Sequence, residues 1–368
     1  MCNTIRLSVI IPMYQSEKHI LECIQSVCSQ KVCGLEIICV DDGSTDNTCN
    51  HVMRKMKSDD RIQLLRLDHA GVSKARNAGI YCAKGEYLLF LDADDKLCSN
   101  SLASMLKKAE KKQADILVFS GTTSAPYSTP LWIRDAFSAH NRTVSSFFPE
   151  LFLCERSCRP SACNKLYRRE LIRKHGIYFP ENLSLAEDHV FQFYAFPKAR
   201  RIVFTSRRLY FYRIYQSDST VGTYERDHGR RKTAHFKAMQ LAYEHWEHEG
   251  YFKMKNYRRV FLLCYLEMLF IELEKGDWNE RCLTAGQIYQ QLLPLEDIWN
   301  EASEQMEIVI LLKDKKIHQA EQKLALYHHL TRETKIRMKI TAPVRYAKRV
   351  GLRSTFEHYV GRYLKTEP

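Results

Sequence analysis

The sequence predicts an α/β fold, a mostly parallel sheet flanked by helices and followed by a mainly helical C-terminal region. Three observations predict it. Short apolar runs alternate with amphipathic segments through the first 120 residues, and a β-α-β-α order implies parallel strands joined by crossover helices. From about Arg230 onward the strand pattern gives way to helical spacing. The composition, 45% hydrophobic and 27% charged over 368 residues, is globular and excludes a chain disordered throughout. At roughly 100–200 residues per domain, this length allows one large domain or two ordinary ones.

Taken in order, Leu7–Pro12 (LSVIIP) reads as a strand. Ser16–Gln30 reads as a helix, with Ile20, Ile24, Val27 and Cys28 at helical spacing and Ser16 as its N-cap. Leu35–Val40 is a second buried strand. Asp41–Thr48 is a turn whose Ser, Thr and Asp side chains supply capping oxygens to the next helix. Arg61–Leu67 alternates as a strand does. Val72–Lys84 is helical, with Gly85 as its C-terminal cap. Tyr87–Leu91 is a strand leading into Asp92–Asp95, then Ser101–Lys112 is a basic helix and Asp115–Ser120 a strand. Arg201–Thr205 and Leu209–Ile214 predict a hairpin across Ser206–Arg208. Helices are expected over Arg230–Glu249, Tyr257–Lys275, Cys282–Leu293 and Ile317–Leu330.

Charge and cysteine content narrow the setting. Lys and Arg number 56 against 43 acidic residues, a net +13 that suits an anionic partner such as nucleic acid, a lipid surface or a phosphorylated small molecule. The start, MCNTIRLSVIIP, does not read as a signal peptide, so the 13 cysteines are expected to be reduced. Cys154, Cys158 and Cys163 form a loose cluster, but no CxxC pair is present, which argues against zinc. Val260–Ile271 is apolar yet interrupted by Glu267, and falls short of the roughly 18–20 residues of a membrane span.

Four constellations carry candidate chemistry. In such sheets ligands sit beyond the carboxyl ends of the strands, where Tyr14, Asp41-Asp42 and Asp92-Ala93-Asp94-Asp95 all fall. The clustered carboxylates of the last turn repel one another, and Mg²⁺ or Mn²⁺ relieves that repulsion while binding phosphate oxygens; the plainer reading is a capped turn. Asp41-Asp42 can accept an N–H from a base or cap the following helix. Lys74 and Arg76 bring positive charge to a helix start, where anions are favoured, or form a solvated basic face. Neither GxxxxGK[ST] nor GxGxxG occurs. Glu187-Asp188 sits in an apolar context, where burial raises a carboxyl toward the range of a general base; the alternative is an acidic pair favoured by a helix dipole.

Taken together these residues resemble the family 2 glycosyltransferases of the GT-A fold, of the bacterial polysaccharide type. The matching pieces are Val9-Ile10-Ile11-Pro12-Met13-Tyr14 with Glu17, Val40 to Asp46, Ala75 to Ile80, Phe90 to Asp95, Asn164 to Tyr167, and Glu187-Asp188. The resemblance covers about residues 5–215. It implies that Pro12, Tyr14 and Glu17 contact the nucleoside, with Tyr14 against the base, and that Asp42 or Asp41 reads uracil. It implies a base or phosphate contact for Arg76, a ribose or metal contact for Asp92, a nucleotide-sugar contact at Ala93, and the main metal ligand in Asp94. Asp188 resembles the catalytic base, Glu187 the group that positions the acceptor, and Lys165 a contact to acceptor or diphosphate. The implied cofactor is Mn²⁺ or Mg²⁺. Three positions depart from the family pattern: Gln15 for Asn, Lys74 for a small residue, and Asp68-His69-Ala70 for an Asn-containing run.

The implied reaction moves one hexosyl or N-acetylhexosaminyl unit from a UDP-sugar to a hydroxyl of a glycan or lipid-linked acceptor, with inversion, in surface polysaccharide or glycoconjugate synthesis. No Gln-x-x-Arg-Trp motif of processive synthases is present. The implied organisation is a catalytic domain over residues 1–220, a helical acceptor-side region over 221–330, and a basic amphipathic tail over 331–368. That tail holds ten Lys/Arg against three Glu, a net +7. Mixed with apolar residues, it suits an anionic leaflet, at about 1 kcal/mol per cation, or packs on the enzyme. The expected location is cytoplasmic, peripheral to the inner face of the cell membrane. No nucleic-acid motif is visible. Competing readings are a nucleotidyltransferase and a non-catalytic scaffold of a polysaccharide assembly complex; the first leaves Glu187-Asp188 without a use, the second predicts a lost acid at 94 or 188.

Overall fold

Strand and helix alternate in the expected order: β1 (Leu7–Met13), α1 (Ile20–Cys28), β2 (Leu35–Asp41), α2 (Thr48–Met56), β3 (Ile62–Arg66), α3 (Val72–Cys82) and β4 (Tyr87–Phe90). The structure is a computed structural model that describes residues 4–127, 129–214 and 227–328. β1, β2 and β4 are buried along their whole length, as strands covered on both faces must be. They form a parallel block with β3, in the order β3-β2-β1-β4.

β5 (Lys96–Leu97), α4 (Ser101–Lys112), β6 (Ile116–Thr123), α5 (Leu131–Ala136), β7 (Arg142–Val144), α6 (Leu151–Cys154), β8 (Lys165–Arg168), α7 (Arg169–Lys174), α8 (Glu187–Ala195) and β9 (Ile202–Tyr212) follow. β8 enters the middle of the sheet, antiparallel to β4 on one side and β6 on the other. The order continues β8-β6-β9-β5, with β7 on β9.

Three local expectations are corrected. The hairpin expected across Ser206–Arg208 is one continuous strand, β9, parallel to β6 on both sides of a register shift: Thr205 faces Phe119 and Arg208 faces Ser120. A bulge there turns the polar residues outward, so the turn signal marked an irregularity within a strand. Ser16 does not cap α1. The helix starts at Ile20 after His19, and the Ser16 carbonyl accepts the N–H groups of His19 and Ile20. Gly85 does not cap α3, which ends at Cys82 with Ala83 extended. Its own N–H donates to Ser8 Oγ at 2.8 Å, and a Cβ there would lie 2.5 Å from the Ser8 nitrogen, so Gly85 serves a close chain approach.

The chain divides into two compact units after Tyr251. The domain limit expected at 220 falls outside the described residues. α9 (His228–His248) belongs to the first unit: Trp246 is fully buried, donates its indole N–H to Phe193 O of α8 at 2.9 Å, and stacks on Phe152. The second unit holds α10 (Lys255–Leu273), α11 (Trp278–Leu292), α12 (Ser303–Lys313) and α13, over 317–328. α12, absent from the sequence reading, buries Met306, Ile308, Val309 and Leu312. Its near-continuous apolar run hides the helical period. Among the described residues no helix is long and apolar enough to cross a membrane. The tail over 331–368 lies outside the described residues.

Candidate active site

Because β1, β2 and β4 run in the same direction, their last residues open on one edge of the sheet. α3 lies against that edge through its Ala75-Arg76-Asn77-Ala78-Gly79 stretch. A Cβ at Gly79 would meet Ile10 Cγ2 at 2.3 Å, so only glycine lets the helix sit this close to β1. Asn77 fixes the segment across from it, donating to Phe179 O at 2.8 Å and accepting the Phe179 N–H at 2.9 Å. Arg76 is thereby held inside the protein, its guanidinium 5.1 Å from the Phe179 ring centre.

Arg76 joins three acidic residues from two chain segments. Its Nη1 donates to Glu187 Oε1 at 2.7 Å and Asp188 Oδ1 at 3.1 Å, and its Nη2 donates to Asp92 Oδ1 at 3.0 Å. The Arg76 side chain is 4% exposed, against 12%, 18% and 32% for Glu187, Asp188 and Asp92. Burial works against the charge on Arg76, but Asp188, Asp92 and Glu187 outweigh it and hold the guanidinium well above its ordinary range. Burial, then the charge of Asp188, pushes the Glu187 carboxyl up against the pull of Arg76. The acidic pair opens α8 after Ala186, whose φ of 63° turns the chain sharply into the helix. Arg76, expected at the base or phosphate, donates to three carboxylates in this structure.

The turn after β4 holds the remaining acids. Burial first, and Asp92 second, pushes the Asp94 carboxyl up to about 6. Asp95, which the sequence reading left without a role, accepts the Tyr210 hydroxyl at 2.6 Å and the Arg213 N–H at 2.7 Å, so it ties the turn to β9. Arg213 also donates from Nε to the Asp94 carbonyl at 2.8 Å. Ala93 is buried between the two acids. Among the described residues no group of three or more His, Cys, Asp or Glu side chains is arranged to hold a metal ion. Asp92 and Asp94 are the two carboxylates that the resemblance assigns to an ion, and the charge of Asp92 adds to burial in raising the Asp94 carboxyl. Two carboxylates are the usual protein share when phosphate and water complete the shell, so the residues present fit such an ion.

Lys165 lies inside the protein. Expected at the acceptor or diphosphate, it is fully buried at the start of β8. Its Nζ donates to Pro160 O at 2.9 Å, Ser161 O at 2.6 Å and Asn164 Oδ1 at 2.8 Å. Burial pulls its ammonium down to about 7. The turn it braces contributes two donors that sequence reasoning missed: Ala162 N–H reaches Asp188 Oδ2 at 2.9 Å, and the Cys163 thiol reaches Asp92 Oδ2 at 3.2 Å. Burial, then Asp92, pushes that thiol well up, so it stays a donor. The only available signal was position, immediately before the Asn164-Lys165 motif.

Of the residues expected at the nucleoside, Tyr14 is 47% exposed and stacks on His69 at 4.2 Å between ring centroids, 24° apart. Asp42 is buried and accepts the N–H groups of Ala70 and Gly71, both at 2.8 Å, while His69 Nδ1 lies 3.0 Å from its Oδ2. Asp41 accepts the Ser44 N–H and so closes its own turn. Glu17 Oε2 accepts the Asn47 N–H at 3.0 Å. Pro12 is buried within β1. The stacking of His69 on Tyr14 was not foreseen, although His69 had been singled out as a departure. A cavity of about 680 Å³ lined by Lys84, Arg168, Arg169 and Arg173 lies at the opposite end of β1 and β4, away from these acids.

Comparison with known proteins identifies the family and the fold. The sequence pattern described as Glycosyl transferase family 2 matches residues 8–176. The chain is 31% identical over 245 residues to the uncharacterized glycosyltransferase EpsJ of Bacillus subtilis, covering 65% of this chain and 70% of EpsJ. It is 31% identical over 211 residues to the poly(ribitol-phosphate) beta-N-acetylglucosaminyltransferase TarS of Staphylococcus aureus, covering 56% of this chain but 35% of TarS. The solved structure of S. aureus TarS 1–349 superposes with a TM-score of 0.66 at 22% identity, over 88% of this chain and 91% of that one. The fold is the GT-A type that the resemblance implied. With an acid-lined edge built from the family's own motifs and a relative matched over most of its length, the chain belongs to the family 2 glycosyltransferases.

Proposed function

We propose that the protein transfers one sugar from a UDP-sugar to a hydroxyl of a glycan or lipid-linked acceptor, inverting the anomeric configuration. The observation that carries this reading is the meeting of Asp92, Glu187 and Asp188 on Arg76, beside Asp94. A base and a charge-bearing pair thus share one edge of the sheet. TarS, solved with UDP and with UDP-GlcNAc, supports a uridine nucleotide as the donor's leaving half.

Asp188 has the chemistry of the base. Its two oxygens accept one N–H each from Arg76 and Ala162, and a carboxylate offers about four lone-pair positions. A free position takes the acceptor's proton as its oxygen attacks the anomeric carbon and the bond to the diphosphate breaks. A single base suffices for such an in-line displacement, whereas retention by double displacement needs a further nucleophile. Glu187, on the same turn, positions the acceptor. Asp94 and Asp92 would hold Mn²⁺ or Mg²⁺, which when bound neutralises charge on the departing diphosphate. Tyr14 offers its exposed ring to the base, and Asp42 reads its edge.

The tail over 331–368 brings the enzyme to an anionic leaflet, on the cytoplasmic face, where a lipid-linked acceptor is met. Flotation with anionic liposomes should require these residues; equal flotation without them ends the anchoring role. The activity itself is tested by UDP release across a panel of UDP-sugars with Mn²⁺ and after chelation. Pyrophosphate release instead of UDP identifies a nucleotidyltransferase, and no turnover with any donor favours a scaffold.

A further inference from the structure

Lys165 carries a buried amino group that the transfer chemistry leaves without a part. Ammonium groups are rarely withdrawn fully from water unless several acceptors surround them, and here the acceptors all belong to one turn. Nζ reaches Pro160 O, Ser161 O and Asn164 Oδ1 within 2.9 Å. Asn164 is itself pinned, its amide donating to Ala136 O at 2.8 Å. Lys165 lies opposite Val118 in the sheet interior, so the amino group is anchored on a rigid strand.

The braced turn is not one the chain adopts freely. Ser161 has a φ of 56°, a left-handed conformation that a serine keeps only when its surroundings impose it. That geometry aims the next two residues at the site. Ala162 N–H reaches Asp188, and the Cys163 thiol reaches Asp92. Asp188 is held on its other oxygen by Arg76, so its orientation depends on both partners.

We propose that Lys165 is the positioning residue of the catalytic base: its hydrogen bonds to the 160–164 turn fix the Ala162 N–H that orients Asp188. Groups supporting the residues of a site typically alter activity about 10–100-fold when lost, and they do so without contacting substrate. The inference rests on Asp188 acting as the base.

The test uses the full chain with Mn²⁺ and the best donor of a UDP-sugar panel, reading UDP release with water as the acceptor, and UDP affinity by calorimetry. Lys165→Met keeps the length and removes the donors. It should lower kcat about 10–100-fold and leave UDP affinity within about twofold, since the nucleoside contacts lie elsewhere. Lys165→Gln, which retains donors at shorter reach, should fall between Met and wild type, and decides on the same readouts if the Met variant does not fold. In an Asp188→Asn background, Lys165→Met should lower kcat no further, because it acts through that carboxylate. A wild-type kcat in the Met variant, an equal loss of kcat and UDP affinity, or multiplicative losses in the double variant overturns the assignment. If Asp188→Asn itself keeps full turnover, the reading of the base fails and this inference falls with it. If Asp188→Asn is inactive while Lys165→Met is normal, only the present inference fails.

Discussion

Replacing Arg76 by Met removes the cation shared by Asp92, Glu187 and Asp188 while keeping a long apolar stem over Phe179. Breaking a buried ion pair by deleting one partner costs about 3–5 kcal/mol. The lower end applies here. The Asp92 side chain is 32% exposed, so water screens its share, whereas Glu187 at 12% and Asp188 at 18% are left with little solvent. A loss of about 3 kcal/mol in a unit of this size lowers Tm by roughly 6–12 °C. The deficit should depend on pH in a definite direction. Glu187 is already raised by burial and by Asp188, and losing Arg76 raises it further. A carboxyl whose folded pKa exceeds its unfolded value carries stability at low pH and loses it as pH rises through the folded value. The gap between variant and wild type should therefore be widest near pH 8 and narrow toward pH 5. Scanning calorimetry at a series of pH values checks this. A variant within 2 °C of wild type at pH 8, taking about 2 °C as well under the expected shift, or a gap that does not change with pH, refutes the account of Arg76 as the charge that holds the acids together.

Asp188→Asn should keep UDP binding and lose about 10²–10⁴-fold in turnover, the usual contribution of a positioned base, measured by UDP release against UDP affinity. Asp94→Asn should abolish the Mn²⁺ dependence of donor binding. In the wild type, donor affinity in Mn²⁺ should weaken as pH falls through about 6, where a proton competes for Asp94. The metal-free protein should show the opposite sign in stability: Asp94 is raised from 3.8 to about 6, so its contribution is present at low pH and lost as pH rises through 6, and Asp94→Asn should flatten that slope. Trp246→Ala empties a fully buried site between α8 and α9 and should cost about 3–5 kcal/mol, read by chemical denaturation.

Much of this was legible because the relevant signals are local. Apolar runs gave β1, β2 and β4 nearly to the residue, and polar groups at their ends marked the edge where Asp92 and Asp188 meet Arg76. What stayed hidden depends on neighbours far apart in the chain. The resemblance implied a ligand contact for Lys165; only tertiary structure shows backbone carbonyls closing around it. Ala162 acts through its N–H, which no side-chain pattern reports. Ser206–Arg208 carried the composition of a turn, and a bulge in β9 uses the same residues. α12 was lost for the opposite reason, since its apolar residues are too continuous to show a period.

The partners of Arg76 reach it from unequal distances along the chain. Asp92 lies 16 positions away, Asp188 112. The region matching the family pattern stops at residue 176, before Glu187 and Asp188 are reached. At synthesis rates of about 5–20 residues per second, the ribosome adds that longer separation in about 6–20 s. For most of this interval, once Asp92 is made, a nascent chain holds the guanidinium with one carboxylate instead of three, and a fragment cut at the edge of the matched region keeps only that one partner. Such a fragment should be extended through α8, or the buried Nη1 of Arg76 is left without its two acceptors.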